Sequence, residues 1–289
     1  TDRNMSAKAT SEPDRLHYRT TILPSSGWSL PDFHELIRYR DLLKILTARN
    51  ISLIYRQSIL GVGWAIVRPL ITTIIFSLIF GHFAGFDQTQ KVAYPIFILT
   101  GLVLWNFFAS SLANASESVV SQSHILTKIY FPRLILPLSA LGVAVVDFLI
   151  QFAILVVLMV IYGVAVSTYT PVAILFLIAA SLVSFSMSVW LTALNVRFRD
   201  IKHTVPFLIQ TLLYLTPVIY PVEIVPQRWQ WLLHLNPMFS VVQGFRWSLL
   251  GTEPPNWTWF SVSMLLTTFL LLTGLVFFRR TESTFADIV

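Results

Sequence analysis

The chain has 289 residues, of which 55% are hydrophobic and 12% are charged. Soluble domains carry about 25% charged residues, so this composition excludes an ordinary soluble domain and predicts an all-α membrane protein with several spans. The formal charge of +6 is outweighed by the apolar content, and we expect no nucleic-acid partner. The absence of cysteine excludes disulfides and thiolate metal sites, and the six histidines show no metal-ligand spacing.

The sequence divides into four regions. Residues 1–30 are polar and lack the continuous apolar core of a signal peptide, so we expect a flexible cytoplasmic extension. An amphipathic interface helix is predicted in 31–60, a transmembrane domain of six helices in 61–280, and a cytoplasmic tail in 281–289.

The interface helix is predicted to run from Asp32 to Arg56 and to lie on the membrane. Its polar stripe includes Arg38, Arg49 and Arg56, while apolar side chains recur on the other side. A basic, moderately amphipathic helix before a first span is typical of the cytoplasmic membrane surface. A plain membrane anchor and a functional docking helix both remain open.

Six apolar segments are predicted to span the bilayer. The fifth has only 16 residues, which is short for a hydrocarbon core of about 30 Å. The six segments are Gly63–Phe83, Tyr94–Ala113, Leu134–Tyr162, Pro171–Leu194, Val205–Tyr220 and Trp257–Phe278.

The basic residues predict the orientation. Seventeen of the 20 lysines and arginines fall on one side of the six segments, and three, Lys91, Arg228 and Arg246, fall on the other. Because lysine and arginine accumulate in cytoplasmic loops, we expect both termini in the cytoplasm and these three residues outside.

The stretch Val205–Leu250 is interrupted. Pro217 and Pro221 break the fifth segment, and neither of the apolar runs that follow, Gln227–Leu235 and Met238–Leu250, is long enough to span. Such segments are tolerated at membrane depth only when they are buried in protein or line a wet cavity. We predict a re-entrant helical hairpin over the outer mouth of a pathway, with an interfacial hairpin as the alternative. The predicted outer gate comprises Pro217, Tyr220, Pro221, Trp231, Asn236, Pro237 and Phe239.

Five motifs carry a family resemblance. The run LIYRQSILGVGWAIVRPL at 53–70 resembles the signature that enters the first helix of ABC-2-type polysaccharide exporter permeases. The other motifs are KIYFPRLILP at 128–137, VRFRDIKHTVPF at 196–207, TPVIYPVEIVP at 216–226 and LNPMFSVVQGFRW at 235–247. Over residues 30–280 the chain is similar to the transmembrane subunits of O-antigen, capsule and teichoic-acid ABC exporters.

The resemblance implies a homodimer that works with two nucleotide-binding ATPase subunits in the bacterial inner membrane. The chain has no GxxxxGK(S/T) phosphate-binding loop. We therefore expect no cofactor, metal site or catalytic residue in this chain, and ATP and Mg would bind the partner subunit. The transported molecule would be a lipid-linked polysaccharide, and membrane lipids would surround the dimer.

The segment Ser116–Arg133 is the predicted coupling loop. Its apolar centre and the stop at Pro132 suit a short helix that docks on the ATPase, and an ordinary cytoplasmic loop is the alternative. The loop at 197–203 is a weaker candidate for coupling. The predicted coupling residues are His124, Lys128, Tyr130, Phe131, Pro132 and Arg133.

Asp147 is the only acidic residue deep within a predicted span. An intramembrane carboxylate is costly and should face the bundle interior or water. It is either a proton relay or substrate contact, or a packing residue bonded to Gln151 one helical turn away. We favour packing, because the spans contain nothing else that resembles a proton chain.

Aromatic residues make up 14% of the chain. Their faces suit the apolar C–H surfaces of a sliding sugar chain, although ordinary helix packing is the preferred explanation for any one of them. The predicted channel aromatics are Phe76, Phe80, Trp105, Phe108, Phe185 and Trp190.

The sequence thus predicts the permease half of an ATP-driven exporter of a lipid-linked, O-antigen-like polysaccharide. One alternative is an ABC-2 permease for a smaller lipid or a drug. Another is a membrane-embedded enzyme or scaffold that acts on lipid-linked sugars. Against an enzyme, the outward acids Asp87, Glu223 and Glu253 lack the paired spacing of general acid–base catalysis.

Overall fold

The computed structural model describes residues 31, 33–56, 61, 63–89, 92–126, 130–198, 200–282 and 285, and every regular element within these ranges is helical. The predicted extension 1–30 lies outside the described residues. The α-helices are α1 (Phe33–Arg38), α2 (Arg40–Arg56), α3 (Gly63–Phe76), α4 (Tyr94–Ser121), α5 (Ser123–Leu126), α6 (Ile135–Ile161), α7 (Ala173–Arg197), α8 (Ile201–Leu215), α9 (Gln227–His234), α10 (Pro237–Leu250) and α11 (Trp257–Glu282).

Five helical segments in the described ranges are long and apolar enough to cross a membrane. The first joins α3 to a π-helix at Ser77–Phe83, and the fourth joins a 3₁₀ turn to α7. They match the first, second, third, fourth and sixth predicted spans. The five segments are Gly63–Phe83, Tyr94–Ser121, Ile135–Ile161, Thr170–Arg197 and Trp257–Glu282.

The fifth predicted span differs from the structure. Helix α8 has 15 residues and ends at Leu215, not at Tyr220. At 1.5 Å per residue it is about 22 Å long, less than the apolar core of about 30 Å. Thr216 is already extended, with φ −102° and ψ 127°, because a residue that precedes proline is disfavoured in the helical region. Six spans therefore stay a prediction.

The second span is longer than predicted. Helix α4 continues past Ala113 to Ser121, so the predicted coupling loop begins inside a helix. The hydroxyls of Ser116 and Ser118 donate to carbonyls three residues earlier, at 2.8 and 2.7 Å. The Asn195 amide donates to the Ser116 carbonyl at 2.9 Å. These polar side chains are satisfied within the bundle, which is why a polar sequence stays helical and buried here.

Helix α4 lies at the centre of the bundle and packs against α6, α7 and α10. Two apolar clusters result. The main cluster includes Phe107, Phe108, Phe148, Phe176 and Phe245. The second cluster includes Leu46, Val119, Phe131, Ile135 and Phe278.

The predicted interface helix contains α1 and α2, with a turn at Tyr39 between them. The Tyr39 amide donates to the Glu35 carbonyl and the Leu43 amide donates to the Tyr39 carbonyl, both at 3.1 Å, so helical hydrogen bonding continues across the turn. Helix α2 packs against α6 where Gly142 leaves room for Thr47, since an added Cβ would lie 2.9 Å from the Thr47 Cγ2. Ile37 and Ile45 remain 65% and 64% exposed. Helix α2 thus packs on α6 while these apolar side chains face away from the bundle.

Helices α9 and α10 occupy the two runs predicted for the hairpin. Asn236 caps α10, with its Oδ1 accepting from the Met238 amide at 3.1 Å, and Pro237 follows at the first helical position. Gly251 ends α10 in the left-handed region, with φ 65°. Most of α10 is buried, whereas Trp229 and most of α9 are exposed.

Candidate functional site

A groove with a volume of about 850 Å³ opens along one side of the bundle. Helices α3 and α8 form its walls, α4 and α6 form its floor, and the end of α2 closes one part of it. Among the side chains that line it are Trp64, Arg68, Phe76, Trp105, Asn106 and Gln210. Aromatic rings and polar groups therefore face one space.

The floor of the groove carries two hydrogen bonds between helices. The Tyr55 hydroxyl donates to Asp147 Oδ1, and Asn106 Nδ2 donates to Gln151 Oε1 at 2.8 Å. The predicted pairing of Asp147 with Gln151 is wrong, because each side chain reaches a different neighbouring helix. Burial, followed by the hydrogen bond to Asp147, raises the pKa of the Tyr55 hydroxyl, so Tyr55 remains a donor at neutral pH.

The walls of the groove are also polar at its rim. Arg68 on α3 and Gln210 on α8 are exposed and both line the groove. Ionisable and amide side chains are costly against lipid and normally face protein or a water-filled cavity. The groove thus combines a largely apolar lining with polar groups at its rim and floor.

Arg246 is buried at the junction between α10 and the end of α8. Its Nε donates to the Phe97 carbonyl at 3.2 Å, Nη1 donates to the Pro217 carbonyl at 2.7 Å, and Nη2 donates to the Val218 carbonyl. Its Cζ also lies 3.8 Å from the centroid of the Phe97 ring. One side chain therefore joins α10 to α4 and to the break that follows α8.

This role of Arg246 was not predicted from the sequence, in which Arg246 counted only as a basic residue on the outer side. The available signal was its place inside the apolar run Met238–Leu250, where a charge needs protein partners.

Two further hydrogen bonds hold the junction around Arg246. The Asn236 amide donates to the Thr216 hydroxyl at 2.7 Å, and the Tyr94 hydroxyl donates to the Ile219 carbonyl at 2.7 Å.

Most of this architecture lies in a region of the sequence that matches a known protein family. The sequence profile of the ABC-2 type transporter family matches residues 41–250. The chain belongs to the ABC-2 type transporter family. The match includes α3, α8, α9 and α10, so the groove and the Arg246 junction lie within the family region of this permease.

Several characterised permeases and transport proteins are similar to the chain over most of their length. An O-antigen export system permease protein RfbA of Klebsiella pneumoniae is 30% identical over 250 residues, or 86% of this chain and 95% of that protein. The polysialic acid transport protein KpsM of Escherichia coli is 25% identical over 83% of this chain and 93% of that protein. The inner membrane transport permease YadH of Escherichia coli K12 is 28% identical over 68% and 80%.

The predicted channel aromatics of the permease are dispersed. Phe76 and Trp105 line the groove. Phe108 is fully buried in the main cluster, and Phe80 packs against the same cluster. Phe185 packs against the second cluster, and Trp190 stacks on Phe277 with ring centroids 4.7 Å apart. The groove thus brings two of the six together, and their role in transport stays a prediction.

The predicted gate residues divide into a fixed set and an exposed set. Pro217, Pro221 and Phe239 are buried and line a second cavity of about 330 Å³ beside Arg246. Trp231 on α9 is 53% exposed. Tyr220 donates its hydroxyl to the Tyr214 carbonyl at 2.9 Å, while Asn236 and Pro237 form the start of α10.

The predicted coupling residues lie near α5 and the start of α6. His124 and Tyr130 are exposed, and Lys128 lies outside the described residues. Phe131 and Pro132 are buried, and Phe131 belongs to the second cluster. Exposed Tyr130 is therefore better placed than Phe131 to meet a partner.

The interface arginines Arg38, Arg49 and Arg56 are all exposed on α1 and α2. Guanidinium groups at such positions are suited to lipid phosphates. Contact with lipid headgroups remains a prediction for all three.

Proposed function

We propose that the chain is the permease subunit of an ATP-driven exporter that moves a lipid-linked, O-antigen-like polysaccharide across the bacterial inner membrane. The observation that carries this proposal is the groove of about 850 Å³, in which aromatic rings on α3 and α4 share one space with polar groups on α4 and α6. Aromatic faces accept the C–H faces of sugars, and amides and hydroxyls on the floor exchange hydrogen bonds with sugar hydroxyls. The O-antigen and polysialic acid names of the similar proteins support the same substrate class.

The conduit in this proposal lies between two copies of the chain. In the most apolar 18-residue stretch of the first span, Gly63–Phe83, only 11% of the residues are buried inside the chain. In the corresponding stretch of Tyr94–Ser121 the buried share is 78%. A homodimer with a two-fold axis beside α3 and α8 would place two grooves face to face. The polar rim residues of each groove, such as Arg68 and Gln210, would then line a closed channel, whereas in one copy alone the groove is open on one side.

Energy would come from two separate nucleotide-binding subunits, which bind ATP and Mg. The coupling loop, now restricted to the segment from α5 to Arg133, would receive their motion. Exposed His124 and Tyr130 would contact the ATPase, while buried Phe131 would transmit the displacement to the second cluster.

Both termini of the chain would be cytoplasmic in this proposal. Helix α8 would complete a sixth crossing together with the segment that follows it, and α9 and α10 would form a re-entrant hairpin over the outer mouth. The 17 basic residues on the proposed cytoplasmic side support this orientation. Because the chain has no cysteine, a single cysteine at Asp87 should react with an impermeant reagent only from outside. Labelling only from the cytoplasm would overturn the orientation.

The transport proposal is tested by blocking the groove in proteoliposomes that contain the permease, its ATPase subunit and a lipid-linked polysaccharide. Gln210→Trp places a bulky ring on the groove wall, and we expect polymer export to fall about tenfold or more. Thr268→Trp is the matched control, because Thr268 is exposed on α11 away from the residues that line the groove. Equal export by both variants would remove the groove from the pathway.

A further inference from the structure

The end of α11 carries an ion cluster that the proposed mechanism does not use. Glu282 Oε2 lies 2.9 Å from Arg279 Nη1, and the two side chains are only 16% and 20% exposed. Glu282 Oε1 accepts from the backbone amide of Arg133 at 3.2 Å. One carboxylate therefore binds both a neighbouring arginine on its own helix and the backbone of the coupling loop, 149 residues away.

The same point is held by two other contacts. The Arg133 guanidinium donates to the Glu282 carbonyl, and its Cζ lies 5.6 Å from the centroid of the Phe285 ring. Phe285 is fully buried and meets Phe278 edge-on at 5.3 Å in the second cluster. Polar and apolar contacts thus fasten the end of the coupling loop to the C-terminal end of α11.

Tyr130 lies three residues before this attachment point and is 54% exposed. Burial raises the pKa of its hydroxyl, and the charges of Glu35 and Glu282 raise it further. Between Tyr130 and Arg133, Phe131 and Pro132 are buried, so the conformation of this segment is fixed from the inside.

We propose that Glu282 is a positioning residue for energy coupling, because it holds the Arg133 backbone in the place from which Tyr130 meets the ATPase subunit. The C-terminal end of α11 is then a structural part of the coupling surface. This inference rests on the proposed role of the loop in coupling.

A second ion pair in the chain provides a matched control. Lys44 and Asp41 have the same i,i+3 spacing at 3.2 Å, but their side chains are 74% and 75% exposed. Exposed pairs contribute little, because water and salt screen them. Removal of the Asp41 carboxylate tests the loss of a charge pair without the loss of a loop contact.

The experiment measures ATP hydrolysed per polymer exported, with equal amounts of assembled permease–ATPase complex in proteoliposomes. We expect Glu282→Ala to raise this ratio about fivefold or more and Asp41→Ala to leave it unchanged. Glu282→Gln should restore much of the coupling, because its amide oxygen still accepts from the Arg133 amide. A residue that only stabilised the fold would lower the amount of complex and leave the ratio of assembled complex unaltered.

Tyr130→Ala separates failure of this inference from failure of the proposed coupling loop. If Tyr130→Ala raises the ratio and neither Glu282 variant does, the positioning role is overturned and the coupling loop stands. If none of these variants changes the ratio, the coupling assignment itself is wrong, and the role of Glu282 fails with it. Should Glu282→Ala not assemble, Glu282→Met takes its place, because it removes both carboxylate oxygens and keeps an unbranched side chain. A wild-type ratio in Glu282→Met would overturn the proposal.

Discussion

Two arginines fasten irregular segments to the helix bundle, and they do so by different chemistry. Arg246 joins the break after α8 to α4 and α10 by donating to three backbone carbonyls. Arg133 joins the segment before α6 to α11 through Glu282, whose carboxylate also pairs with Arg279. The acceptors at the first junction are all neutral carbonyls. The second junction combines a neutral carbonyl, which binds the Arg133 guanidinium, with a carboxylate, which binds the Arg133 backbone amide.

The difference indicates which segments are able to move. Opening the Arg246 junction would leave a buried cation and carbonyls without partners, which is costly in an apolar setting. That junction should stay closed during transport, and movement of the hairpin should be confined to exposed α9. The junction at Glu282 is less deeply buried, and charged groups of a partner protein are able to exchange with it.

The largest effect should come from Arg246→Met. The substitution removes the donors to three carbonyls while it keeps an unbranched apolar chain, so we expect a loss on the order of 3 kcal/mol or more of stability. Thermal unfolding in detergent measures the loss. Arg246→Lys keeps a cation with three donors but not the planar fork, and it should recover part of the stability. A wild-type melting temperature for Arg246→Met would break the contrast between the two junctions.

Two glycines compare a contact in the fixed interior with a contact at an edge that is able to shift. A Cβ at Gly244 on α10 would overlap the ring of Phe176, which is fully buried. A Cβ at Gly142 would instead meet Thr47 on α2, a half-buried side chain at the edge of the bundle. We expect Gly244→Ala to cost about 1–3 kcal/mol and Gly142→Ala to cost less, because α2 is able to shift outward. The two melting temperatures decide the order, and a larger loss at Gly142 would contradict it.

Much of the fold could be predicted from composition and apolar run length. The segments Gly63–Phe83 and Trp257–Glu282 were predicted within a few residues, because a long apolar run in a membrane protein has few alternatives to a helix. The break at Pro217 followed from proline chemistry. The end of α4 could not be predicted, since the helical state of Ser116 and Ser118 depends on burial against α7.

The groove was less predictable than the spans. Sequence spacing placed Asp147 and Gln151 on one face of α6, but their partners Tyr55 and Asn106 lie on other helices. A hydrogen bond between residues 92 positions apart in the sequence is set by tertiary packing, which one sequence does not encode locally. The burial of Arg246 shows the same limit, because a count of basic residues cannot separate a loop arginine from a structural one.

Loss of the hydrogen bond between Tyr55 and Asp147 should have an intermediate effect on stability, because this bond joins α2 to α6 at the floor of the groove. Tyr55→Phe removes the donor and leaves the carboxylate without it, so we expect a loss of about 1–2 kcal/mol. Asp147→Asn keeps an acceptor for the Tyr55 hydroxyl and should cost less. If Asp147 serves packing, export by Asp147→Asn should persist at a substantial level across pH. Complete loss of export by a dimer that still assembles with its ATPase would assign Asp147 to transport chemistry instead.

The smallest effect on stability should come from α9, the exposed part of the hairpin. Trp231 is 53% exposed and Trp229 is 49% exposed, and residues two apart in a helix point to nearly opposite sides. We expect Trp231→Ala and Trp229→Ala each to change stability by less than about 0.5 kcal/mol.

If α9 closes the exit as proposed, Trp231→Ala alone should let ions leak from proteoliposomes that contain the resting dimer. A reversible disulfide between two copies at position 231, introduced as Trp231→Cys, should block export, because it would hold α9 closed. An equal leak from both tryptophan variants would point to loosened packing of α9. No leak from Trp231→Ala, together with full export by the cross-linked dimer, would show that the hairpin is a fixed cover and that the exit lies elsewhere.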